Sequence, residues 1–291
     1  MNPTIAAELI MKNNNIPHLH LPGPGEDLHF FGANGFPAGV YQPLLAGLNE
    51  TFNVYAMQCR ATWPEIGRPT HKNWELYADD LIQFIEQHCQ HPIIAVGHSL
   101  GASSTVLAAN KRPDLFKALV LIEPAMVSWP MRLMMKFTPL HFLKRNKLIN
   151  GTLNKADRWQ EKEDYLAHIK RFKGYGKFSE QTFLEFEKHA IEKTKKGDYQ
   201  LVFGNRWEAH NYTQPPFLLN KLKSLTKRGL PTVAIAGKPN LFFGKKLWEG
   251  WKRYQPKAIF EQDNRYGHLI PLEAPFDTLK LILQGLGKTK K

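Results

Sequence analysis

The stretch HPIIAVGHSLGASSTVLAAN, residues 91–110, decides how this chain reads. Residues 93–96 are an apolar run of strand length, Gly97-His98-Ser99-Leu100-Gly101 is a turn, and the small residues that follow suit a helix. A serine thrown clear of a sheet by so sharp a turn needs neighbours two positions away that carry no side chain. Gly97 and Gly101 meet that need. The turn also leaves the Leu100 N–H at a helix start, where unpaired donors and the helix dipole favour negative charge. Strand, serine and helix in that order predict an α/β domain with Ser99 thrown clear of its sheet as a nucleophile.

Working outward, residues 118–122, ALVLI, read as a strand buried on both faces of a parallel sheet, and Glu123 ends it. Carboxyl ends of neighbouring parallel strands gather along one edge, which predicts Glu123 and Ser99 on the same side of the molecule. Upstream, residues 18–21 and 28–31 read as two strands joined by a Pro-Gly-Pro-Gly turn, and residues 52–57 as a third. Trp74, Tyr77, Ala78, Leu81 and Ile85 form an apolar stripe at helical spacing. After residue 128 the alternation of strand and helix gives way to basic helical patterns until residues 231–236, PTVAIA. A last strand at 258–261 precedes Tyr266-Gly267-His268-Leu269, and a helix at 279–286 closes the fold.

A serine hydroxyl is a poor nucleophile until a base takes its proton, and imidazole is the usual base. Of twelve histidines, His268 combines a position after the last strand with a preceding glycine that lets the loop curl back. His98, inside the elbow, aims elsewhere, and no histidine belongs to a metal motif such as H-E-x-x-H.

Three segments, FGANGFPAGVYQPLL (residues 31–45), the elbow, and YGHLIPLEAP (residues 266–275), together resemble the α/β-hydrolase superfamily, over about residues 18–285. The resemblance implies a mostly parallel, doubly wound sheet with an inserted helical cap. The core would be residues 18–128 and 229–291, the basic cap residues 129–228, and residues 1–17 an N-terminal arm. Aligning Asn34-Gly35-Phe36-Pro37 with the family's His-Gly-x-Pro pattern makes the Phe36 N–H the second oxyanion donor beside Leu100, with Asn34 departing from the common histidine. Many members carry an aspartate after the strand equivalent to 232–236, but here that loop is Gly237-Lys238-Pro239-Asn240. Some relatives place the acid one strand earlier. That position is Glu123, which keeps the order serine, acid, histidine. Asp263 is the reserve candidate. The expected catalytic set is Ser99, His268 and Glu123, with Asn34, His98, Trp129, Phe183, Trp207, Tyr212 and Leu269 as candidate pocket walls. A serine at position 99 argues against the dehalogenase and epoxide-hydrolase relatives, and the chemistry needs no cofactor and no metal.

Composition sets the remaining bounds. The two cysteines, Cys59 and Cys89, make no disulfide framework, the N-terminus has no secretory pattern, and no apolar run approaches the roughly 20 residues of a membrane span. These features predict a cytoplasmic protein. Net charge is +13, carried as −4 over residues 1–128, +11 over 129–228 and +6 over 229–291. Such a field favours anionic partners: an acidic acyl substrate, or an anionic membrane touched peripherally. Nucleic acid is not expected, because Lys177 stands where the RNP1-like run Lys173-Gly174-Tyr175-Gly176 requires an aromatic. The leading expectation is a serine esterase or thioesterase. The alternatives are a low-turnover binding protein, favoured by the missing aspartate, and a lipid-directed hydrolase, favoured by the basic middle block.

Overall fold

A computed structural model describes residues 16–64, 66–90 and 92–288; of the expected N-terminal arm, only its last two residues are among them. In chain order the strands are β1 (His18–Leu21), β2 (Asp27–Phe31), β3 (Asn53–Met57), β4 (Ile93–His98), β5 (Phe116–Ile122), β6 (Arg158–Trp159), β7 (Ile191–Lys193), β8 (Tyr199–Leu201), β9 (Thr232–Gly237) and β10 (Ile259–Asp263). The helices are α1 (Gln42–Asn49), α2 (Glu75–His88), α3 (Leu100–Lys111), α4 (Trp129–Phe137), α5 (Leu140–Leu143), α6 (Lys147–Leu153), α7 (Lys162–Lys170), α8 (Glu180–His189), α9 (Asn205–Tyr212), α10 (Leu219–Lys227), α11 (Lys245–Tyr254), α12 (Ile270–Glu273) and α13 (Pro275–Gly285).

Seven strands form the main sheet in the order β1-β3-β2-β4-β5-β9-β10, parallel except for β1, which runs antiparallel to β3. Side chains alternate across it, as strand geometry requires. Ile94, Val96, Val120, Ile122, Val233 and Ile235 join a core with Leu44, Leu45 and Leu48 of α1. Ala95, Leu119, Leu121, Ala234 and Ala236 face the other way, onto Leu81 and Phe84 of α2 and Trp248 and Trp251 of α11. Both faces are covered, so β4 and β5 are apolar almost throughout. The α3 helix is buried from Leu100 to Ala109. Its small side chains let it lie close to the sheet, and Ser103, Ser104 and Thr105 turn their hydroxyls back to carbonyls four residues earlier.

Two details go beyond the sequence reading. β1, joined to β2 by the Pro-Gly-Pro-Gly turn, pairs with β3, because that turn folds onto the backbone of Thr51 and Phe52. A Cβ on Gly23 would lie 2.0 Å from the Phe52 carbonyl oxygen, and one on Gly25 2.0 Å from that of Thr51. Between β5 and β9 the chain is mostly helical, as expected, but it also holds a three-stranded antiparallel sheet ordered β6-β8-β7. Strands of two and three residues are too short to show a period-2 pattern. Among the described residues, no helix is long and apolar enough to cross a membrane.

Candidate active site

Ser99 follows β4 directly, with φ 53° and ψ −111°. This region is forbidden to most side chains, and strain of that kind persists only where the surroundings fix it. Here the Ser99 N–H donates to Ile122 O (2.9 Å), its carbonyl accepts from Ala125 N (3.1 Å), and the Gly101 N–H donates to Gly32 O (3.0 Å). Both elbow glycines are sterically required. A Cβ on Gly97 would lie 2.6 Å from Ala102 N, and one on Gly101 2.0 Å from Phe31 O.

His268 lies in the loop between β10 and α12. Its Nε2 accepts from the Ser99 hydroxyl at 3.0 Å, and its Nδ1–H donates to Glu123 Oε2 at 2.6 Å. Glu123 is fully buried and, like Ser99, has a positive φ, 42°. Its carboxylate is well supplied with donors: Oε1 accepts from Gly237 N (2.8 Å), and Oε2 also accepts from Asn240 Nδ2 (2.9 Å). A buried carboxylate with three donors loses little by leaving water. Asn240 is itself locked, because its Oδ1 accepts the N–H groups of Phe242 and Phe243, both at 2.9 Å. The residue standing where many relatives carry an aspartate thus aims its amide N–H at Glu123. Asp263 is engaged elsewhere, with Arg265 at 2.6 Å.

At the loop after β2, Gly35 has φ +89°. The Phe36 N–H donates to Ala33 O over a long 3.3 Å. The Leu100 N–H belongs to the first helical residue of α3, which no carbonyl of its own helix can reach.

The candidate pocket walls divide. Asn34 is a clamp: its Nδ2 donates to Glu208 O (2.9 Å) and its Oδ1 accepts from Asn211 Nδ2 (2.7 Å). Tyr212 contacts Asn34 and Glu208, and burial holds its hydroxyl protonated far beyond the ordinary range. Its ring stacks on Phe242, which in turn stacks on His268 at 4.8 Å. Leu269 is half-buried beside His268. Trp207 stacks on His71 and donates from Nε1 to Gly67 O (2.7 Å), fixing the loop before α2. Phe183 packs on Phe178, in the stretch between β5 and β9, and belongs to the buried core. Trp129 does not close a pocket; it is 58% exposed and touches Phe217.

His98 does not line a pocket either. It is fully buried, with both ring nitrogens occupied. Its Nε2–H donates to the His268 carbonyl (2.9 Å), and its Nδ1 accepts from the Tyr41 hydroxyl (2.8 Å), which accepts the Ala33 N–H (3.0 Å). The carbonyl partner fixes the neutral tautomer, and burial pushes the imidazolium down to about 3. His29 on β2, buried without a polar partner for its side chain among the described residues, is likewise pushed down to about 3. Between that value and the ordinary 6.5 the unfolded chain binds protons that the folded chain refuses. Stability is therefore complete above about pH 6.5 and falls as pH drops towards 3, by about 1.4 kcal/mol per pH unit for each histidine. Urea unfolding at a series of pH values should give this slope, and His29→Gln should remove its share.

Sequence reasoning did not pick out Tyr41, Glu208, Asn211 or Phe242. Their partners lie far off along the chain, and no spacing rule links them. Glu208 is paired with Lys155 and lies against Gly35, where a Cβ would come within 2.8 Å of its carboxyl carbon. Among the described residues no group of three or more His, Cys, Asp or Glu side chains is placed to hold a metal.

The sheet order, the strained serine between β4 and α3, and the histidine after the last strand define a class of fold, and the sequence agrees: the chain belongs to the alpha/beta hydrolase family, whose profile matches residues 19–279. The 2-(acetamidomethylene)succinate hydrolase of Mesorhizobium japonicum is 34% identical over 105 residues, 35% of this chain and 36% of that protein. A probable alcohol acetyltransferase of Wickerhamomyces anomalus is 32% identical over 123 residues, 41% of this chain and 34% of that protein. The chain thus matches about a third of the length of these curated relatives. In solved structures the fold recurs along nearly the whole chain. The crystal structure of E-2-(acetamidomethylene)succinate hydrolase superposes with a TM-score of 0.75 at 20% identity, covering 93% of this chain and 94% of that one. A thermophilic esterase from Thermogutta terrifontis gives 0.68 at 17% identity, covering 94% and 93%.

Proposed function

We propose that the protein is a serine hydrolase that cleaves a carboxylic ester or thioester of a small to medium acyl group through an acyl-enzyme on Ser99. The observation that carries this reading is the chain of hydrogen bonds from the Ser99 hydroxyl through His268 to Glu123, at 3.0 and 2.6 Å. Ser99 Oγ attacks the acyl carbon as its proton passes to His268 Nε2, and the imidazolium is stabilised at Nδ1 by Glu123. The carbonyl oxygen becomes an anion held by the N–H groups of Leu100 and Phe36. The 3.3 Å bond from Phe36 to Ala33 is weak, and a charged oxygen is the stronger acceptor. Collapse expels the alcohol or thiol, which takes the proton from Nε2. Water then repeats the sequence in reverse and releases the acid.

Residues 129–228 act in this reading as a cap. They bring Glu208, Asn211 and Tyr212 of the α9 region against Asn34 and Gly35, so the acyl group meets a polar wall. The unpaired cysteines, one buried and one half-buried, fit a reducing cytoplasm. The hydrolase and esterase names among the relatives support the reaction class, and the acetyltransferase names suggest that an alcohol could replace water as acceptor.

The test is labelling with a fluorophosphonate, read by mass spectrometry. Wild-type protein should be labelled at Ser99 and turn over simple esters repeatedly, whereas Ser99→Ala should do neither. Asn240→Asp separates this reading from a binding protein that lacks its acid. A carboxylate at 240 would face Glu123 Oε2 in place of a donor 2.9 Å away, so labelling should slow by about tenfold or more. Faster labelling in that variant, with little in wild type, would overturn the assignment of Glu123.

A further inference from the structure

The α4 helix is inside out for a globular protein. Its sequence is WPMRLMMKF, and none of its residues is buried. Trp129, Met131, Leu133, Met134 and Phe137 are all exposed, with Phe142 just beyond; these are six of the eleven exposed large apolar side chains among the described residues. Arg132 and Met135 are the half-buried positions, so the helix rests on the body through them and turns its apolar arc to solvent. Monomeric proteins rarely expose so contiguous a patch without a use for it.

The charge around the patch says what covers it. Residues 124–156 contain no Asp or Glu, while Lys136, Lys144, Arg145 and Lys147, on the helix and just after it, are all exposed. None of the four is in an ion pair among the described residues. Lys136 and Arg145 lie over the rings of Phe137 and Phe142. The basic surface runs on into a cleft of about 360 Å³ whose lining includes Lys144, Arg68 and Arg206 together with Ile149 and Leu153. Tryptophan, phenylalanine and leucine accompanied by lysine and arginine, in a stretch of 33 residues without an acid, are the side chains of a helix that lies in the headgroup layer of a membrane.

We propose that α4 and the residues after it, to Lys147, form a docking surface for an anionic lipid bilayer. The apolar arc enters the acyl boundary and the cations engage lipid phosphates. The surface begins six residues after Glu123, so docking would bring the loop at the end of β5 close to the bilayer. This inference does not depend on catalysis.

The experiment is co-sedimentation of the full chain with vesicles of ether-linked lipids, which an esterase cannot cleave. Vesicles of phosphatidylcholine with phosphatidylglycerol should bind the protein at least tenfold better than phosphatidylcholine alone, and raising salt from about 0.1 to 0.5 M should weaken binding. Leu133→Ser/Phe137→Ser should lower partitioning by tenfold or more. Lys136→Gln/Lys144→Gln should lower it by roughly fivefold per charge. Lys221→Gln/Lys223→Gln, exposed on α10, should leave it unchanged. Three results would overturn the proposal: no binding to anionic vesicles, an equal loss in the α10 variant, or a dimer that Leu133→Ser/Phe137→Ser dissociates with no vesicle binding.

Discussion

Replacing Glu123 by glutamine should slow both ester turnover and fluorophosphonate labelling of Ser99 by about 10⁴-fold, the loss seen when the acid of a serine-protease triad becomes an amide. The local hydrogen bonding explains why the effect should be so large with so small a change in shape. Three donors converge on this carboxylate: the Gly237 N–H, the Asn240 amide and His268 Nδ1–H. Glutamine has one acceptor oxygen, so its NH₂ must meet at least one of the three head-on. If it meets His268, the imidazole turns to the wrong tautomer or swings off Ser99. If it meets Gly237 or Asn240, the β9 loop is pushed from its place. Stopped-flow labelling checks the rate, and circular dichroism checks that the fold survives. A loss under tenfold would show that Glu123 is not the acid.

Gly101→Ala should be strongly destabilising, costing at least about 3 kcal/mol, the upper end of the overpacking range. The new Cβ would sit 2.0 Å from Phe31 O, 2.5 Å from Phe31 C and 2.7 Å from Gly32 O, all backbone atoms. No rotamer relieves such a clash. The elbow must part from β2, and the Gly101 N–H bond to Gly32 O goes with it. Gly151→Ala on α6, with nothing within 4 Å of its Cβ, is the control and should be neutral or slightly stabilising. Urea midpoints of the two variants measure the difference directly.

The sequence was most legible where chemistry and topology share a position. Ser99, Glu123 and His268 each stand just past the end of a strand, at 98, 122 and 263 respectively, and a parallel sheet brings such positions to one edge. Strand pairing was less legible. Gly23 and Gly25 mark a turn between two strands without saying what the first strand pairs with, and only their contact with Thr51 and Phe52 shows that β1 crosses to β3. Least legible was the surface. Trp129, Leu133 and Phe137 are as apolar as any core stripe, and a sequence does not reveal which side of a helix faces solvent. Buried polar contacts were also hidden: Tyr41 and His98 are 57 residues apart, and nothing in the spacing joins them.

That buried pair links two places usually treated as separate. Ala33 of the loop after β2 is tied through Tyr41 and His98 to the main chain of His268. The loop that carries Phe36 and the loop that carries His268 are therefore parts of one mechanical linkage, braced from beneath Ser99. Anyone transplanting either loop from a relative to change substrate range would need to carry Tyr41 and His98 with it, because a graft that breaks the brace would set both ends of the site moving independently.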